Sequence, residues 1–214
     1  MQILGRVVKF ILKSALLLLL ALVLVRGIDA WRGPPLQPWH TETPDDASAR
    51  EIDAMDWKQW MAREDAVMQQ VRREVVDQTP ESERQPSNRY WTGAPMYAPN
   101  LPHDWNRSFT LQPAGPAKGV AVLLHGMTDS PYSLRHIGLL YQARGWEVIA
   151  IRLPGHGTVP AGLADAKAED WEAATRLAMR EAVRRAAGKP IHMVGYSNGA
   201  ALAVIHALDA TRDP

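Results

Sequence analysis

A serine between two glycines, Gly195-Tyr196-Ser197-Asn198-Gly199, follows the short apolar run Ile191-His192-Met193-Val194 and precedes a stretch of small residues from 200 to 207. Where a strand turns abruptly into a helix, the flanking elements come too close for side chains. Glycine is needed on either side, and the strained backbone pushes the middle hydroxyl outward. Ser197 is therefore read as a nucleophile, with Gly195 and Gly199 as turn residues. G-x-S-x-G alone arises by chance in many sequences, but a second motif upstream supports it. His125-Gly126-Met127-Thr128-Asp129-Ser130 follows the apolar run 120–124. Acyl transfer develops an oxyanion, which needs donors aimed at the place where the charge forms. Gly126 lets the backbone turn and frees the amide of Met127. The second donor is the amide of Asn198, at a helix N-terminus with its partial positive charge. His125 precedes the turn and is read as ordering the loop rather than as a base. A third segment, Arg152-Leu153-Pro154-Gly155-His156-Gly157-Thr158, places His156 in a constrained loop, where it is read as ordering neighbouring backbone.

These motifs need elements to position them. Residues 120–124 form an unbroken apolar run, as in a strand buried on both faces. Ser130-Pro131 opens a helix to about Arg144, stopped by Gly145. A second buried strand spans 146–151, a helix 169–187 ends at Gly188-Lys189-Pro190, a third strand spans 191–194, and a helix covers 199–209. Strand and helix alternating at this spacing predict an α/β fold with a doubly wound, mostly parallel sheet. Chemistry gathers beyond the carboxyl ends of such strands, where all three motifs fall. Upstream, residues 79–118 are rich in Pro, Asn, Ser and Arg, which predicts loops and one or two weak edge strands such as Phe109-Thr110-Leu111. Thr43-Pro44-Asp45-Asp46 has the chemistry of a helix start, with Thr43 as N-cap, and apolar spacing from Ile52 to Val75 extends the helix to about Asp77. This helix is read as a packing or membrane-proximal element. Residues 31–44 hold four prolines and predict an extended linker. The expected organisation is a membrane anchor or signal segment over 1–30, a linker and amphipathic helix over 31–90, and the α/β domain over 91–214.

At the N-terminus Arg6, Lys9 and Lys13 precede an uncharged run, 14–25, ended by Arg26. Twelve residues give about 18 Å of helix, short of a hydrocarbon core of about 30 Å. A cleaved signal has such a run but wants small residues at its cleavage site; here Arg26-Gly27-Ile28-Asp29 follows. An uncleaved anchor forms if Phe10, Ile11 and Leu12 join the span, with Lys9, Lys13 and Arg26 snorkelling and Trp31 and Trp39 at the interface. The anchor is favoured. The basic flank then keeps the N-terminus in the cytoplasm and exports the remainder, to the periplasm in a bacterial cell. Secretion after cleavage is the alternative. Lys plus Arg number 24 against 23 Asp plus Glu, a balance that gives no reason to expect nucleic acid as partner. The absence of cysteine excludes disulfides, thiolate metal sites and a cysteine nucleophile. No metal-ligand cluster or phosphate-cradling glycine loop is evident, so no cofactor or metal is expected.

Residues from about 119 to 210 resemble the first half of an α/β-hydrolase catalytic domain. The similarity is greatest to the branch of serine aminopeptidases (S33-like), monoacylglycerol lipases and carboxylesterases. That branch shares an HG-x-x loop, here His125-Gly126-Met127-Thr128, a P-G-H-G segment, here Pro154-Gly155-His156-Gly157, and the nucleophile elbow around Ser197. The resemblance implies a serine hydrolase of carboxylic ester or related acyl bonds, acting on a small acyl substrate, and the N-terminal run adds the membrane anchor. A peptidase of the same fold and a non-catalytic binding or scaffold protein are the alternatives. In the family the acid and the histidine follow the serine, each after a later strand. Here only 17 residues follow Ser197. Asp209 and Asp213 are expected at the far end of its helix and His206 on it, none placed to serve. The sheet would also end at an open edge. The sequence is thus expected to be a fragment, inactive alone. The oligomeric state and acyl preference are not legible.

Overall fold

The computed structural model describes residues 2–212, and Asp213 lies outside the described residues. The chain divides into two compact units, Met1–Leu36 and Gln37–Pro214. The first is dominated by one helix, α1 (Gln2–Trp31). Within it Gly5–Trp31 is long and apolar enough to cross a membrane, with mean hydropathy 2.5. Its 27 residues give about 40 Å of helix, so the short uncharged run is the middle of a longer span that includes Phe10, Ile11 and Leu12. The same length and composition also suit a signal sequence.

The second unit begins with α2 (Pro38–Thr41), α3 (Ala49–Ala54) and α4 (Trp57–Val71), the last ending in a π-helical turn over 72–76. Loops and short 3-10 turns lead to β1 (Phe109–Leu111) and β2 (Val120–Leu124). Then follow α5 (Arg135–Ala143), β3 (Glu147–Ile151), α6 (Ala168–Ala186), β4 (Ile191–Gly195) and α7 (Asn198–Arg212). The sheet order is β1-β3-β2-β4. β2 runs parallel to both neighbours, with Val122 opposite Ile149 and Met193, whereas β1 is antiparallel to β3, with Phe109 opposite Ala150. Among the described residues β4 pairs only with β2, which leaves its other edge open.

Alternation along the strands sorts side chains to two faces. Val120, Val122, Leu124, Ile149 and Ile151 pack with Ala174, Leu177 and Ala178 of α6 and Leu202 of α7. Leu123, Val148 and Ala150 pack on the other face with Phe109, Leu134 and Tyr141 of α5. Helices on both faces give the doubly wound α/β architecture that the strand-helix alternation predicts. Alanines on α6 let its backbone come close to the sheet.

The single helix expected from Thr43 to Asp77 is instead two. Residues 42–48 are not helical. Ser48 caps α3, with Glu51 accepting from its amide at 2.8 Å, and Asp56 caps α4, accepting from the Gln59 amide at 2.8 Å. The reason is tertiary. The Asp46 carboxylate is held by Arg152 and Gly155, and the Asp45 amide donates to Gln70, which keeps this stretch extended. Residues 37–90, read from sequence as linker and helix, also contribute Ala47, Ile52 and Trp60 to the main core and lie in the same compact unit as the sheet.

Candidate active site

The turn from β4 into α7 is built by close approach. A Cβ on Gly195 would collide with the backbone of Gly199 and Ala200, and one on Gly199 with the carbonyl of Leu124. The Tyr196 amide donates to that same Leu124 carbonyl at 3.2 Å, which ties the turn to β2. Between the glycines Ser197 is exposed and has φ of +52°, a left-handed conformation that a non-glycine residue rarely adopts. Such strain persists only where the surroundings impose it. Gly126, at the end of β2, lies against the same turn, since a Cβ there would sit 2.7 Å from Tyr196 Cε1 and 3.3 Å from Ser197 Cβ.

Two main-chain donors near this turn are uncommitted. The amides of Gly199 and Ala200 donate to Tyr196 and Ser197 at 3.0 Å each, but the Asn198 amide, first in α7, has no hydrogen-bond partner among the described residues. The Met127 amide likewise has none, in a loop where Thr128 has φ of +60°. No histidine nitrogen or carboxylate oxygen among the described residues hydrogen-bonds to the Ser197 hydroxyl. His206 and Asp209 lie on α7 beside α6, and His206 is about 12 Å along the helix from its start.

His125 is buried with both nitrogens engaged. Nδ1–H donates to the Gly126 carbonyl at 2.9 Å, so the bare Nε2 accepts from the Leu153 amide at 3.0 Å. Burial pushes its pKa down to about 3, and it is neutral. It fastens the loop after β2 to the end of β3. His156 is also buried, and its Nδ1–H donates to the Pro154 carbonyl at 2.9 Å, which Trp171 Nε1 approaches at 3.0 Å. Burial lowers its pKa as well.

Sequence reasoning missed the ionic support beneath these loops. Arg152 is fully buried and forms two hydrogen bonds with Asp46, at 2.7 and 2.8 Å, and one with the His156 carbonyl at 3.1 Å. Asp46 also accepts from the Gly155 amide at 2.8 Å. Burial alone would raise the Asp46 carboxyl, but the Arg152 charge and these hydrogen bonds hold it below its usual range. Fully buried Glu64 accepts from the Ser108 amide and hydroxyl at 2.9 and 2.6 Å and lies 3.4 Å from Arg152 Nε. The Ser108 hydroxyl oxygen accepts in turn from Trp60 Nε1 and the Arg152 amide. An arginine directly after five buried strand residues signals that a buried counter-ion must exist. It does not say which of 23 carboxylates supplies it.

The model of a family described as alpha/beta hydrolase matches residues 121–212, the segment that carries all three motifs. No match is found among proteins of curated function. A solved structure, described with two metagenome-derived lipolytic enzymes, LipS and LipT, is similar at 32% identity over 52% of this chain, with a TM-score of 0.46. The match takes in 43% of that chain, so this chain spans less than half its length. The architecture and the matched segment together define an α/β-hydrolase fold whose sheet is incomplete among the described residues.

Proposed function

We propose that the chain is a serine hydrolase of carboxylic ester or related acyl bonds, with Ser197 as nucleophile and the Met127 and Asn198 amides as oxyanion donors. The observation that carries it is an exposed serine at φ +52°, wedged between glycines that admit no side chain. In this mechanism Ser197 Oγ attacks the acyl carbon. The carbonyl oxygen takes up negative charge and receives hydrogen bonds from the two uncommitted amides. The alcohol leaves with a proton, and water then attacks the acyl-enzyme to release the acid and restore the serine. A serine hydroxyl is a weak nucleophile without an adjacent base, so the relay needs a histidine and an acid besides the groups bonded in this structure. His125 cannot lend a nitrogen, since both of its nitrogens hold the loop. The motifs support the S33-like, monoacylglycerol lipase and carboxylesterase branch. Peptide bonds are cleaved by the same nucleophile and oxyanion machinery, so a peptidase of this fold is the second reading. We further propose that α1 is an uncleaved anchor with its basic end in the cytoplasm and the second unit exported.

A fluorophosphonate probe tests the nucleophile in the full-length protein. Covalent labelling at Ser197, abolished in Ser197→Ala, is expected. A folded protein that supplies such a histidine and acid beside Ser197 and whose serine still stays unlabelled would sink the assignment and leave a binding or scaffold role.

A further inference from the structure

The first turns of α1 carry three cations, Arg6, Lys9 and Lys13, all exposed. Successive helical residues are turned by about 100°, so spacings of three and four bring these side chains within an arc of about 60°. They are strung along that face over about 10 Å of helix. Val8 and Ile11 fall on the opposite side. No carboxylate precedes Asp29 in the chain, and none of the three cations has an ion-pair partner among the described residues. The other end of α1 is different. There Arg26 pairs with Asp29 at 3.3 Å, and only Arg32, just past the helix, adds charge. We propose that the basic face of α1 binds anionic phospholipid in the leaflet at the N-terminal end of the helix; this lipid site rests on the reading of α1 as an uncleaved anchor given above.

Depth and charge together select the ligand. The uncharged run 14–25 makes about 18 Å of helix, so centring it in a core of about 30 Å leaves roughly 6 Å of core at each end. Lys13 then lies about 5 Å inside the boundary, Lys9 close to it and Arg6 about 5 Å outside. A lysine inside the hydrocarbon is unfavourable unless its ammonium reaches a counter-charge, and its flexible stem lets the ammonium turn back toward the headgroups. The three charges therefore converge on the layer that holds the lipid phosphates. All three side chains only donate hydrogen bonds, and phosphate oxygens accept them. A zwitterionic headgroup brings a phosphate too, but its own cation is repelled by the neighbouring charges on the face. An anionic headgroup brings no such penalty. An acidic segment of a soluble protein would meet Arg6 but would not reach Lys13, which stems from below the headgroup layer.

The test is reconstitution of the full chain in vesicles of phosphatidylcholine mixed with phosphatidylglycerol, then mild detergent extraction and native mass spectrometry to count the lipids retained. Phosphatidylglycerol is expected to be held in preference to phosphatidylcholine, and Lys9→Gln is expected to weaken that preference about fivefold. The discriminating variant exchanges two neighbours, Val8→Lys with Lys9→Val. It keeps composition and net charge but moves one cation about 100° around the helix, off the basic face, and a loss as large as that in Lys9→Gln is expected. Equal retention of the two lipids by the unaltered chain, or an undiminished preference in the exchange variant, overturns the proposal. An alkaline carbonate wash followed by flotation with pure phosphatidylcholine vesicles tests the anchor separately and verifies that each variant inserts. A chain that stays with those vesicles and shows no lipid preference keeps the anchor and loses the lipid site. A chain that washes off them loses the anchor and the lipid site with it.

Discussion

Asp46→Asn isolates what the N-terminal segment does for the site. The substitution keeps the side chain's size and one acceptor for the Gly155 amide, but removes the charge that neutralises Arg152. Arg152 is fully buried, and the remaining carboxylate near it, Glu64, lies 3.4 Å from Nε and also serves Arg107 at 3.5 Å. Removing one member of a buried ion pair costs about 3–5 kcal/mol, because the other charge is left desolvated. Glu64 still offsets part of the charge, so the lower end, about 3 kcal/mol, is expected. For a unit of this size that lowers the unfolding midpoint by roughly 6–12 °C. Asp53→Asn is the internal control. Asp53 also pairs with an arginine, Arg176, at 2.7 Å, but both side chains are about 40% exposed, and such surface pairs contribute about 1 kcal/mol or less.

The pH dependence supplies a second reading of the same bond. The Asp46 carboxyl sits below its ordinary value in the folded protein, so the unfolded chain takes up the proton first as pH falls. The stability it contributes is therefore complete above about pH 4 and is lost as pH drops through the folded-state value. Tryptophan fluorescence during thermal and urea unfolding in detergent, at pH 7 and at steps below pH 4, measures both effects. A gap between wild type and Asp46→Asn no larger than that for Asp53→Asn would refute the reasoning. So would a gap that fails to narrow in acid.

His125 titrates at about 3 when folded against about 6.5 unfolded, so between these limits stability falls with acid by about 1.4 kcal/mol per pH unit. His125→Gln, which can still donate to Gly126 and accept from Leu153, is expected to remove about one proton from that slope in urea titrations between pH 4 and 7; an unaltered slope contradicts a buried neutral imidazole. At the elbow, Gly199→Ala drives a methyl into the Leu124 carbonyl and is expected to cost about 3 kcal/mol or more. Gly115→Ala, where an added Cβ meets nothing within 4 Å, should leave the urea midpoint nearly unchanged, and similar losses for the two would count against the tight turn.

The parallel strands were legible because burial on both faces writes an unbroken apolar run, as at 120–124 and 148–151, which no exposed element can carry. Their boundaries were legible for a related reason. Gly145 and Gly188 stand at φ of +87° and +84°, where other residues are strained, and each marks a helix end. The elbow could be read because steric exclusion at Gly195 and Gly199 leaves a mark in residue type. Asp46 left no such mark. Its local setting, after Thr43 and Pro44, has the chemistry of a helix start, and it is drawn out of that helix by a partner 106 residues away. Arg89 and Tyr90 sit in an irregular loop without periodicity, so their place in the wall of a cleft of about 510 Å³, beside the loop that carries the Met127 amide, follows only from the fold. Residue type records local sterics well and long-range electrostatics hardly at all.

This asymmetry bears on how the segment before the hydrolase-like region works. The end of β3 carries a positive charge that the sheet and its helices do not neutralise, and within the second unit the counter-ions come from residues 46 and 64. The backbone they hold, Gly155 and His156, forms one side of the cleft, and the other side includes Arg89 and Tyr90 from the same segment. Loop geometry and the lining of the cleft are therefore set together by residues 37–108. A change in the lining of the cleft need not touch the turn between β4 and α7. It can arise in the segment that balances Arg152, because Asp46 holds Gly155 and Arg152 holds His156 on one side of the cleft while Arg89 and Tyr90 line the other.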